Sequence, residues 1–142
     1  MLPKYQLQIL SLKNPYNIIT TMKKILVTED NKYLANAYRV KLEKTGYEVL
    51  LASNGEEAIA ILKTTVPDLV VLDLVMPGAD GFAVLEEINK NPALKDVPII
   101  VSSNLGQKDD VDKAKALGAD DYFIKSDIEP DDIVLKIKGL LQ

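Results

Sequence analysis

The run Leu69-Val70-Val71-Leu72 offers no polar side chain to solvent on either side. Successive side chains of a strand point to opposite faces, so an uninterrupted apolar run needs cover on both. That is the mark of a central strand in a parallel sheet. Asp68 leads into this run, and four more short runs share its strand character, Ile25–Thr28, Tyr47–Ala52, Pro98–Val101 and Asp121–Ile124. Helical spacing fills the intervals. Asn31–Lys44 carries Leu34, Tyr38 and Leu42 on one face, and Gly46 stops it as a helix-ending glycine does. Ser53-Asn54-Gly55-Glu56 reads as a capping box opening the helix of Ala58, Ile59 and Leu62, and Pro67 ends that unit. Phe82–Asn89 is the third helix, with Leu85 and Ile88 three apart. Asp109 and Asp110 suit the start of a fourth, closed by Gly118. Asp131–Leu141 is the last, with Ile133, Ile137, Leu140 and Leu141 on one side. Five strands alternating with five helices imply an α/β protein with an open, doubly wound parallel sheet.

The 142 residues, 47% apolar and 27% charged, suit one soluble domain, and no apolar run approaches the roughly 18–20 residues of a membrane span. No cysteine or histidine is present, which excludes disulfides, thiolate metal sites and imidazole chemistry. A metal here must be held by oxygen, and so should be a hard cation such as magnesium. The formal charge of −4 argues against direct nucleic-acid binding. Residues 1–22 carry Lys4 and Lys13 and no acid, so the remaining 120 carry −6. Those first 22 residues form a leader of unknown role, ahead of a domain over 23–142. Tyr5, Leu7 and Ile9 alternate with Gln6 and Gln8 until Lys13-Asn14-Pro15 interrupts them. A broken apolar core and the lack of a small-residue cleavage site rule out a signal peptide. Met22-Lys23-Lys24 could itself begin a shorter protein, but the expectation is a leader that is at least partly ordered.

In such sheets ligands bind beyond the carboxyl ends of the strands. The first strand ends at Glu29-Asp30, the third at Asp73, the fourth at Ser102-Ser103 and the fifth at Lys125. Parallel strands bring these groups to one edge. Clustered carboxylates repel unless a cation or lysine compensates. Oxygen ligands plus water suit magnesium, which favours phosphate as a co-ligand. A carboxylate beside it can attack phosphorus and form an acyl phosphate, with Lys125 neutralising charge and Ser103 donating a hydrogen bond. Each residue has a bland alternative: Asp30 as a helix cap, Asp73 as a turn acid before Met76-Pro77-Gly78, Ser103 as a turn cap, Lys125 as a surface lysine. Their joint placement at successive strand ends favours the functional reading.

The motifs ILVTEDN, DLVVLDLVMPGADGF, PIIVSSN and ALGADDYFIKSD occur in this order. With them, residues 23–142 resemble the receiver domain of bacterial two-component response regulators, whose CheY-like fold is a flavodoxin-like three-layer sandwich. The resemblance implies that Asp73 is the phosphoacceptor. It implies that magnesium is held by Asp30 and Asp73 directly, by Glu29 through water, and by the backbone carbonyl of Val75. Lys125 then contacts the phosphoryl group, Ser103 is the switch hydroxyl, and Tyr122 is the aromatic that turns inward. Tyr122 would couple the site to a face formed by the fourth helix, fifth strand and fifth helix. As an alternative, it is a half-exposed aromatic packed beside its strand.

Three positions depart from the family's pattern. The acidic pair is Glu29-Asp30 where Asp-Asp is commoner. Asn104 stands where a small residue is typical, placed to crowd phosphodonor access or to bind the phosphoryl group itself. Ser126 replaces the usual proline, so no cis-proline turn is available there. Val75 and Leu105 flank the path of an attacking water and cannot orient it, which points to slow self-dephosphorylation.

The expected protein is therefore a cytoplasmic, single-domain signalling switch rather than an enzyme, with at most self-phosphorylation from small donors and self-dephosphorylation. A sensor histidine kinase or histidine phosphotransfer protein would supply phosphate, and an unidentified downstream protein would read the switched face. The switch would be a monomer or a phosphorylation-dependent homodimer, without membrane insertion. The rival is a pseudo-receiver that binds partners without phosphorylation. An aspartate-nucleophile phosphatase would need a second acid two residues after its nucleophile on the first strand, and a flavin carrier would need a phosphate-binding loop there. Thr28-Glu29-Asp30-Asn31-Lys32 provides neither.

Overall fold

A computed structural model of the chain describes residues 22–142. The expected order in the leader falls outside the described residues. Five strands, β1 (Lys24–Thr28), β2 (Glu48–Ala52), β3 (Leu69–Leu72), β4 (Ile99–Ser103) and β5 (Asp121–Ile124), form one sheet in the order β2-β1-β3-β4-β5. All pairings are parallel. Five helices alternate with them: α1 (Lys32–Thr45), α2 (Gly55–Thr64), α3 (Gly81–Lys90), α4 (Lys108–Ala116) and α5 (Pro130–Leu141). Short 3-10 turns cover Pro92–Leu94 and Lys125–Asp127.

The apolar run of β3 is divided between two cores. Leu69 and Val71 join Ile25, Val27 and Ile100 beneath Tyr38 and Leu42 of α1 and Ile133 and Ile137 of α5. Val70 and Leu72 join Leu26 and Val101 on the other face, under α2, α3 and Ala114 of α4. Every residue of β3 is buried, as burial on both faces requires. Each such side chain contributes about 1.5–3 kcal/mol relative to exposure, so the sheet forms a stiff base for whatever its edge carries.

The register sets that edge. Thr28 pairs with Leu72, Leu72 with Val101, and Val101 with Tyr122. Glu29 and Asp73 therefore leave the sheet side by side, at the place where the order reverses between β1 and β3. Helix boundaries match the sequence reading to within a residue or two, with two differences. The N-cap of α2 is Asn54, one residue later than expected. Asn54 Oδ1 accepts from Glu57 N at 2.8 Å, while Glu57 accepts from Ser53 N and Oγ at 3.2 and 2.8 Å. Glu56 is instead drawn away to accept from Ala79 N at 2.8 Å, tying α2 to the loop after β3. Leu140, expected on the buried stripe of α5, is 41% exposed, because it borders an open cleft with Ile88, Leu94 and Leu117.

Candidate functional site

Thr28 closes β1 with its side chain turned across to β3. Its Oγ1 donates to Val71 O at 3.2 Å and accepts from Asp73 N at 3.3 Å. Asp73 is thus fixed through its own backbone, and the residue is 5% exposed. Its two oxygens have separate partners: Oδ1 accepts from Val75 N at 3.1 Å and Oδ2 from Lys125 Nζ at 2.7 Å. Glu29, 4% exposed, repeats the pattern, with Oε1 on Lys125 Nζ at 2.6 Å and Oε2 on Asn31 N at 2.9 Å. Lys125 reaches over the end of β4 to join acids from β3 and β1.

Asp30 completes the group. It is exposed, but one carboxylate oxygen from each of Glu29, Asp30 and Asp73 falls within a 4.8 Å span. Burial pushes the Glu29 carboxyl above its ordinary range, partly offset by the hydrogen bonds from Lys125 and Asn31. Burial alone would lower the Lys125 ammonium, but hydrogen bonds to Asp73 and Glu29 outweigh it, and the net direction is upward. Three carboxylates with one compensating ammonium leave excess negative charge at the strand ends. Such a site suits a cation.

The loop after β4 carries the remaining expected residues. Ser103 is fully buried, and its Oγ accepts from Leu105 N at 3.2 Å. Tyr122, half-buried on β5, donates its hydroxyl to Leu105 O, so its ring lies in towards this loop. Asn104 is exposed, and its Oδ1 accepts from Ser126 N at 2.9 Å. A phosphoryl oxygen only accepts, so the contact expected of Asn104 would come from its Nδ2 amide, which the bond to Ser126 does not use. The described peptide bonds, including Lys125–Ser126, are all trans. Val75 projects its side chain outward, 56% exposed, beside Asp73, and Leu105 is half-buried.

Other residues support the site without an obvious sequence signal. Gly81 opens α3 so close to the chain that an added Cβ would lie 2.4 Å from Asp73 O and 2.5 Å from Leu74 Cα. Tyr38, read only as a helix-face residue, is buried among Ile25, Val27 and Val71, and burial raises its phenol pKa. Ser102 is buried beside it, and interaction with the Ser102 hydroxyl partly offsets that rise. Thr28 would have been recognisable only as a β-branched residue immediately before an acidic pair.

Comparison with known proteins bears on this geometry. A family model for the response regulator receiver domain matches residues 25–138. The chain belongs to the response regulator receiver family. A probable transcriptional regulator, ycf27, of Porphyra purpurea is 40% identical over 120 residues, covering 84% of this chain and 48% of that protein. The alkaline phosphatase synthesis transcriptional regulatory protein PhoP of Bacillus subtilis is 34% identical, with 84% of this chain and 49% of that protein covered. The receiver therefore spans about half the length of these curated relatives. Chemotaxis protein CheY4 of Vibrio cholerae superposes with a TM-score of 0.78 at 25% identity, covering 85% of this chain and all of that one. The receiver fold is the CheY-like, flavodoxin-like one. No described helix is long and apolar enough to cross a membrane.

Proposed function

We propose that this receiver takes a phosphoryl group from a histidine kinase or histidine phosphotransfer protein onto Asp73, in a magnesium-dependent reaction in the cytoplasm. The observation that carries the reading is the placement of Asp73 Oδ2, buried, 2.7 Å from Lys125 Nζ and clustered with Glu29 and Asp30.

The donor set fits magnesium: carboxylate oxygens only, in a pocket with excess negative charge and no histidine or cysteine anywhere in the chain. Asp30, Asp73, Glu29 through water and the Val75 carbonyl would hold it. When bound, the ion neutralises charge on the phosphoryl oxygens.

Asp73 forms the bond from a carboxylate oxygen to phosphorus. The phosphorus–nitrogen bond of the donor phosphohistidine breaks, and its electron pair returns to the imidazole, which takes up a proton from water. Lys125 exchanges its hydrogen bond to Asp73 for one to the phosphoryl group, which holds the product charge in place. Ser103 Oγ–H donates to the same group. Its movement alters the loop that Tyr122 holds through Leu105, and so the face of α4, β5 and α5 that a downstream protein, or a second copy of the chain, would read.

The test is incubation with acetyl phosphate and magnesium, read by intact mass. One added phosphoryl group is expected, and none in Asp73→Asn or in the presence of a chelator. Unmodified wild type under these conditions overturns the reading in favour of a receiver that works without phosphate.

A further inference from the structure

Two departures from the receiver pattern, Asn104 and Ser126, lie 22 residues apart in sequence and meet in space: Ser126 N donates to Asn104 Oδ1 at 2.9 Å. A proline at position 126 has no N–H, so this bond exists only because the residue there is not proline. Each partner adjoins a group assigned above to phosphoryl contact. Asn104 follows Ser103 at the end of β4, and Ser126 follows Lys125 at the end of β5.

Among the described residues, three hydrogen bonds hold Asn104 and Leu105, and each has a different anchor. Leu105 N bonds to Ser103 Oγ within the loop, and Leu105 O accepts from Tyr122 on the body of β5. The third, Asn104 to Ser126, is alone among them in reaching the 3-10 turn Lys125–Asp127, which leads into α5. Asn104 and Ser126 are both exposed. A single neutral hydrogen bond in contact with water is weak enough to be exchanged for solvent when its anchor moves. A proline ring would set the turn's shape by covalent restraint and could not respond in this way.

We infer that Asn104 is a positioning residue: its bond to Ser126 N holds the Lys125 turn in the unphosphorylated chain and is released when Ser103 is drawn towards Asp73. The release step rests on the phosphoacceptor reading. It gives the site a second route outward, into the turn before α5, besides the route through Tyr122. The turn is well placed to respond, because its downstream neighbour is a capped helix start, where Glu129 N donates to Asp132 Oδ2 at 2.9 Å and Pro130 sits in the first turn.

The test is amide hydrogen exchange at position 126, followed by NMR on the 142-residue chain with and without beryllofluoride and magnesium. Asn104→Ala, which removes the acceptor, is expected to speed exchange about 5- to 10-fold. Asn104→Asp retains an acceptor and is expected to stay within about twofold of wild type. Ser126→Ala keeps the backbone N–H, so in that background Asn104→Ala should speed exchange at the same position by the same factor. Beryllofluoride is expected to raise the wild-type rate to that of Asn104→Ala and to leave Asn104→Ala unchanged. Equal rates in unloaded wild type and Asn104→Ala overturn the tether. A wild-type rate unmoved by beryllofluoride, while resonances of Asp73 and Lys125 shift, overturns the release but leaves the phosphoacceptor reading standing. If no resonance around Asp73 shifts, both the phosphoacceptor reading and the release fail, while the unloaded comparison still decides the tether.

Discussion

Lys125 Nζ lies 2.7 Å from Asp73 Oδ2, spanning from the end of β5 over β4 to the end of β3, and the same ammonium holds Glu29 Oε1 at 2.6 Å. One cation therefore compensates two nearly buried carboxylates. Lys125→Ala leaves them facing each other, at a cost of about 1–3 kcal/mol at neutral pH without a divalent cation. Magnesium should recover much of that loss by taking the lysine's place. Because the Lys125 pKa is raised on folding, its contribution is complete below the ordinary lysine value and disappears as pH climbs through the raised one. Thermal unfolding in chelator and in magnesium tests this. A variant as stable as wild type in chelator would mean that the ion pairs contribute nothing.

Gly81 and Gly139 give a matched contrast. A Cβ at Gly81 would meet the backbone of Asp73 and Leu74, atoms that cannot move without displacing the acceptor, whereas one at Gly139 meets nothing within 4 Å. Gly81→Ala is expected to cost about 2–3 kcal/mol and to slow phosphorylation by acetyl phosphate. Gly139→Ala, in α5, should be stabilising by about 0.5–1 kcal/mol and leave the phosphorylation rate alone. Urea unfolding of both variants, together with the phosphorylation assay, separates crowding of the site from a general effect of added side chains.

Val75 stands beside Asp73 with an exposed apolar side chain, where an amide could hold an attacking water. Orientation by one hydrogen bond corresponds to about a 3- to 10-fold change in rate. Val75→Asn is therefore expected to speed loss of phosphate by that factor after loading with a small donor. An unchanged half-life would show that water access at this position does not limit hydrolysis.

The elements were legible because their signals are local: apolar runs too short for helices, spacing of Tyr38 and Leu42, and Gly46 after the first helix. Topology then explains why Glu29, Asp73 and Lys125 meet, since parallel strands send every carboxyl end to one edge. The α2 cap was misread because Ser53/Glu56 and Asn54/Glu57 both satisfy the same pattern. What decides between them is Ala79 N, a tertiary partner 23 residues from Glu56. The Asn104–Ser126 bond was hidden for a similar reason. Each residue could be seen to depart from the family's pattern, but only loop geometry pairs them. Thr28 and Gly81 brace the Asp73 backbone through close approach, which has no periodicity to betray it.

Glu29 carries the clearest pH dependence. Burial makes its carboxyl hold the proton more tightly in the folded chain than in the unfolded one, despite the opposing hydrogen bonds from Lys125 and Asn31. The folded state then binds more protons across the window between the ordinary glutamate value and the raised one. Stability from this residue therefore falls as pH rises through that window and stays lower above it. Glu29→Gln cannot ionise, so it should match wild type below the window and exceed it above. Magnesium reverses the order, because an oxygen-bound cation favours ionised Glu29 and gains less from the amide. Urea unfolding from about pH 4 to 8, in chelator and then in magnesium, tests both signs. A variant no more stable than wild type at neutral pH in chelator would show that Lys125 already offsets the whole cost of burying the Glu29 charge.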